Sequence, residues 1–72
     1  MHIIDCQGLR CPMPLLKAKL AFASLQPGQG FQILGDDPAA GPDILRWADR
    51  VHASVTQQCE SPLTLEVKKT RA

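Results

Sequence analysis

Two prolines one residue apart, Pro12 and Pro14, fix where the first helix of this chain can begin. Proline has no amide hydrogen and its ring clashes with the preceding turn, so a helix tolerates it only in the first turn, where amide hydrogens lack intrahelical partners. Pro12 suits the first helical position and Pro14 still falls within that turn, so the helix is expected to begin at Cys11. Before it, His2 to Cys6 is short and β-branched, which reads as a strand, and Gly8 supplies a conformationally free turn position between the two. After it, Leu15, Ala18, Phe22 and Leu25 recur at helical spacing until Pro27-Gly28 stops the run, and this face is expected to be core.

The rest of the chain repeats the alternation once and then changes it. Phe31 to Leu34 reads as a second strand, followed by a loop in which the carboxylates of Asp36 and Asp37 are suited to bonding nearby amides. A second helix is expected from near Pro42, with Asp43 favourably placed in its first turn and Ile44, Trp47, Ala48 and Val51 as its apolar stripe. Ser54 to Cys59 and Leu63 to Lys69 read as a hairpin turning at Ser61-Pro62. Leu63, Leu65 and Val67 alternate with Thr64, Glu66 and Lys68, so one sheet face is buried and the other wet. Cys59, sharing a face with Val55, is expected to be a small buried hydrophobe. The order β-α-β-α-β-β with right-handed crossovers predicts an α/β fold, a two-layer sandwich of a four-stranded mixed sheet with both helices on one face. Seventy-two residues build one core, so residues 1–72 are expected to form a single domain and a monomer.

Composition excludes several functions. Eight Lys and Arg against seven Asp and Glu leave a net charge of +1, and the aromatics are only Phe22, Phe31 and Trp47. A reader of single-stranded nucleic acid needs a basic groove and sheet-face aromatics, so no direct nucleic-acid binding is expected. Apolar stretches are only a few residues long, and Asp5 and Arg10 interrupt the region where a signal peptide would need an unbroken hydrophobic run, so we expect no membrane association and a cytoplasmic location. Cys6, Cys11 and Cys59 are odd in number and contain no C-x-x-C, which disfavours a disulfide scaffold, and His2 and His52 stand at no zinc-finger spacing from them. No metal and no cofactor are expected, and Asp36 and Asp37 are read as turn-forming residues.

Cys11 carries the chemistry. A cysteine just before a proline-started helix sits where unpaired amide hydrogens and the positive end of the helix dipole favour a thiolate, and Arg10 adds a neighbouring cation. No histidine is close to it in sequence and no Ser/His/Asp or Cys/His arrangement suggests itself, which argues against acyl transfer. Two uses remain. A dithiol redox or sensing module would pair Cys11 with Cys6, five residues back across the Gly8 turn. A lone activated thiolate would instead suffice to attack the outer sulfur of another protein's persulfide, hold it, and release it to a further thiol. With the core stripe assigned, Met13, Leu16 and Leu20 remain as an apolar strip leading toward Cys11 beside Arg10, Lys17 and Lys19, suited to transient docking of partners with acidic rims.

The segment Asp5-Cys6-Gln7-Gly8-Leu9-Arg10-Cys11-Pro12-Met13-Pro14 resembles the N-terminal signature of the TusA/SirA-like sulfur-carrier family, whose hallmark is Cys-Pro-x-Pro. The similarity continues through Leu25-Gln26-Pro27-Gly28, Asp36-Asp37-Pro38-Ala39 and Asp43-Ile44, and so covers essentially the whole chain. The resemblance implies a two-layer α/β sandwich and a sulfurtransferase-type carrier with the persulfide on Cys11. It implies a sulfur donor such as a cysteine desulfurase or rhodanese-like protein, and an acceptor protein in tRNA thiolation, molybdenum-cofactor assembly or sulfur oxidation. Asp5 and Gly8 match the signature and are read as turn-shaping residues, by side-chain hydrogen bonding and by backbone freedom. Cys6 departs from the small residue, often alanine, associated with its position.

Overall fold

A computed structural model describes residues 2–10 and 12–70; Cys11 falls outside them, as do Met1, Arg71 and Ala72. The elements are β1 (His2–Cys6), α1 (Met13–Ala23), β2 (Gly30–Gly35), α2 (Ala40–Arg50), β3 (Ser54–Glu60) and β4 (Leu63–Lys68). They form a four-stranded mixed sheet in the order β1-β2-β4-β3. The crossover through α1 makes β1 and β2 parallel neighbours, while the crossover through α2 leaves one place vacant beside β2. β4 turns back from β3 into that place and pairs antiparallel with both.

Register decides what the helices cover. Ile4 pairs with Ile33 and Cys6 with Gly35, while Phe31 stands opposite Val67 and Ile33 opposite Leu65, so one face of three adjacent strands presents a continuous apolar surface. Ala18 of α1 and Ile44 of α2 close over it, with Leu9, Leu15, Phe22, Leu25 and Trp47 packed around the edge. Phe31, Ile44, Leu65 and Val67 are fully buried, each burial contributing about 1.5–3 kcal/mol. Phe22 and Trp47 meet edge to face, centroids 5.1 Å apart at 84°, and lock the two helices together. Lys69 closes this end, its ammonium 4.9 Å over the Phe22 ring and donating to the Leu25 carbonyl at 3.1 Å.

Three local expectations are corrected. α1 begins at Met13, with Pro12 in the capping position rather than the first turn. The Pro12 carbonyl accepts the Leu16 amide at 3.0 Å, which is what a capping residue's carbonyl does. Pro14, at the second helical position, is fully buried and belongs to the core, which the stripe beginning at Leu15 omitted. α2 begins at Ala40, ahead of Pro42, because Asp37 closes the loop early: its carboxylate accepts the Ala39 amide at 3.1 Å and its carbonyl the Ala40 amide at 3.0 Å. Cys59 is exposed, not buried. A bulge between Gln57 and Cys59 inserts an extra residue, so Cys59 pairs with Thr64 while Val55 and Gln57 pair with Val67 and Leu65, and strict alternation from Val55 fails at that point.

Candidate functional site

Because β1 and β2 are parallel, the loops after both strands, the starts of both helices and the β3–β4 turn all gather at one end of the sheet. Open α/β folds bind ligands and partners at this end, where helix starts and connecting loops converge. The β1–α1 loop, which contains Cys11, is held by a series of backbone contacts. Asp5 accepts the Gln7 amide at 3.0 Å, and the Cys6 carbonyl accepts the Leu9 amide at 3.1 Å. Gly8 has φ 83°, a left-handed conformation that a side chain disfavours. Its amide points across to the β2–α2 loop and is shared by both carboxylate oxygens of Asp36, at 3.0 and 3.1 Å. Past Cys11 in the chain, the Met13 amide donates to the Arg10 carbonyl at 2.8 Å, joining the loop to the first turn of α1.

Charge is arranged unevenly around this end. Among the described residues, α1 has no side-chain cap and no acidic residue in its first turn, whereas α2 has Asp43 in its first turn and the Asp37 carboxylate on the Ala39 amide. Among the described residues, the positive end of the α1 dipole thus meets no carboxylate from its own first turn or cap, while that of α2 does. Arg10, Lys17 and Lys19 are exposed cations on the α1 side. Beside them Met13, Leu16 and Leu20 are 42%, 45% and 75% exposed, so the strip left over from the core stripe faces solvent.

The other two cysteines have different surroundings. Cys6 is fully buried, and burial pushes its thiol up from the ordinary value; the nearby Lys17 charge opposes the rise and Asp5 adds to it. It packs as a core hydrophobe, which withdraws it from the role of accessible resolving thiol that a Cys6–Cys11 redox module requires. Cys59 is exposed, its thiol 3.7 Å from the Ser61 carbonyl. Asp36 and Asp37 both accept backbone amides, and among the described residues no three His, Cys, Asp or Glu side chains gather as metal ligands.

The clasp from Asp36 to Gly8 has no local signal in the sequence, since its partners stand 28 residues apart and only the topology brings them together. The fold is shared with a solved structure, that of the SirA-like protein from Desulfitobacterium hafniense. The two align with a TM-score of 0.82 over 99% of this chain and 100% of that one, at 22% identity. The family model for sulfurtransferase TusA matches residues 2–69, nearly the full length, and on that match the chain belongs to the TusA sulfurtransferase family.

Proposed function

We propose that this protein carries sulfane sulfur as a persulfide on Cys11. Family membership supports a sulfur-carrier role in general. The observation that supports the specific reading is the helix that begins just after Cys11 in the chain, with Pro12 at its cap, Pro14 in its first turn and, among the described residues, no acidic residue in that turn. The clasped loop before it and the neighbouring cation Arg10 add to an environment suited to a thiolate.

In the loading step the Cys11 thiolate attacks the outer sulfur of a donor persulfide. A new sulfur–sulfur bond forms at Cys11, the donor's own sulfur–sulfur bond breaks, and its electron pair leaves on the donor thiolate. In the unloading step an acceptor thiolate attacks the outer sulfur held on Cys11 and releases the Cys11 thiolate. The sulfane sulfur moves between thiols with no net oxidation and no redox co-reactant. A cysteine desulfurase or rhodanese-like protein is the donor on this reading, and the acceptor belongs to a pathway such as tRNA thiolation, molybdenum-cofactor assembly or sulfur oxidation. The exposed Met13, Leu16 and Lys17, with Arg10, form the surface on which the donor docks through an acidic rim.

A panel of single variants tests the reading with a cysteine desulfurase and radiolabelled cysteine. Cys11→Ser should lose sulfur acceptance, while Cys6→Ser and Cys59→Ser, once shown to be folded, should retain most of it. Loss of turnover in Cys6→Ser, together with a Cys6–Cys11 disulfide after mild oxidation, would establish the redox module instead.

A further inference from the structure

A second surface at the same end of the sheet differs in sign from the α1 face. Between the start of α2 and the β3–β4 turn runs a groove of about 520 Å³, with Pro42, Leu45, Pro62 and Leu65 among its walls and Asp36 and Glu60 on its rim. Leu45 is 51% exposed there, an aliphatic side chain on the solvent-facing side of an otherwise well-patterned helix. Among the described residues that line the groove none is Lys, Arg or His, while Asp36 and Glu60 are both exposed carboxylates. Asp36 also holds the Gly8 amide, so the groove abuts the loop that contains Cys11.

From this charge pattern we infer that the groove docks an extended segment of the sulfur-accepting protein, one that alternates aliphatic side chains with lysine or arginine. The volume suits a few side chains of such a segment. Its aliphatic groups would cover Leu45 and Pro62, both exposed, and its cations would meet Asp36 and Glu60. The α1 face is lined by Arg10, Lys17 and Lys19, so a partner matched to either surface is repelled by the other. A carrier must meet donor and acceptor at a single thiol, and surfaces of opposite sign on the two sides of the thiol loop keep those two encounters apart. Assigning the groove to the acceptor rests on the sulfur-carrier reading; peptide binding in the groove does not.

The test is a two-part titration of the full chain at low salt with a short peptide alternating leucine with lysine and arginine, and with its glutamate counterpart. By NMR, the cationic peptide should shift the amides of Gly41, Leu45, Glu60 and Leu63, and the acidic peptide should leave them in place. Leu45→Ser with Glu60→Lys should weaken cationic-peptide binding about tenfold; both side chains are exposed, and the milder Glu60→Gln should weaken it by a smaller factor. In sulfur-transfer assays, excess cationic peptide should slow unloading of the persulfidated protein and leave loading from the donor unchanged. The proposal is overturned if the cationic peptide moves Leu16 and Leu20 instead, if it moves nothing, or if the groove amides shift with protein concentration alone, which marks a second copy as the occupant. Equal slowing of loading and unloading overturns the division between partners. The NMR arm gives the same answer on Cys11→Ser, so its failure leaves sulfur carriage standing, and failure of carriage leaves the groove result standing.

Discussion

Removing the Asp36 carboxylate should loosen the thiol loop without disturbing the core. The Gly8 amide is shared between both Asp36 oxygens at 3.0 and 3.1 Å, so the two contacts amount to one hydrogen bond to a charged acceptor. Such a bond contributes about 1.5–3 kcal/mol when protected from solvent, and the exposure of both partners brings that down to about 1 kcal/mol. For a domain of this size, Asp36→Ala should therefore lower the thermal midpoint by about 4–8 °C. Asp36→Asn keeps one acceptor oxygen and should lose about half as much. Thermal unfolding followed by circular dichroism reads the global effect, and hydrogen exchange at the Gly8 amide reads the local one, with faster exchange expected in Asp36→Ala. Sulfur loading should slow in the same variant, because the clasp steadies the segment leading to Cys11. An unchanged midpoint together with unchanged exchange at Gly8 would show instead that the turn at φ 83° holds itself without the β2–α2 loop.

Two further outcomes follow from charge and burial. Burial raises the Cys6 thiol above its ordinary pKa of 9.0, so as pH climbs past that value the unfolded chain loses this proton while the folded chain keeps it. Stability present below that pH is then lost up to the raised value, and in urea titrations the wild type should lose stability with pH more steeply than Cys6→Ala; parallel curves would show that Cys6 ionises in the folded state as easily as in the unfolded one. Arg10→Glu combined with Lys17→Glu should slow sulfur loading from the donor with little change in stability, and added salt should slow the wild type in the same direction, whereas a folded double variant that loads at the wild-type rate at low salt would remove the α1 face as the donor's dock.

Much of the architecture was legible in the sequence because local signals agreed with one another. Pro12 and Pro14 placed the start of α1 within two residues, and β4's alternation of Leu63, Leu65 and Val67 with polar residues specified which face is buried. Met13, Leu16 and Leu20 could be read as a strip outside the core because helical spacing assigned the core to other positions. What the sequence hid was non-local or irregular. The bulge beside Cys59 has no glycine or proline to announce it, and one inserted residue is enough to move a side chain to the other face. The early start of α2 depends on Asp37 folding back onto Ala39 and Ala40, a loop closure that the conspicuous Pro42 obscured. Cys6 reads as half of a dithiol by its spacing from Cys11, yet its pairing with Gly35 puts it beneath the helices. The Asp36 clasp and the acidic groove arise only when parallel pairing brings separate loops to one end of the sheet.

The carrier role requires a transferable sulfur on Cys11. Its most direct test incubates the purified protein with a cysteine desulfurase and cysteine, then digests it without reductant and maps added mass by tandem mass spectrometry. One additional sulfur atom is expected on the peptide containing Cys11, lost on treatment with a thiol and absent from Cys6 and Cys59. Sulfur on Cys59 with Cys11 unmodified, or no added sulfur under conditions in which the desulfurase loads another carrier, would contradict it.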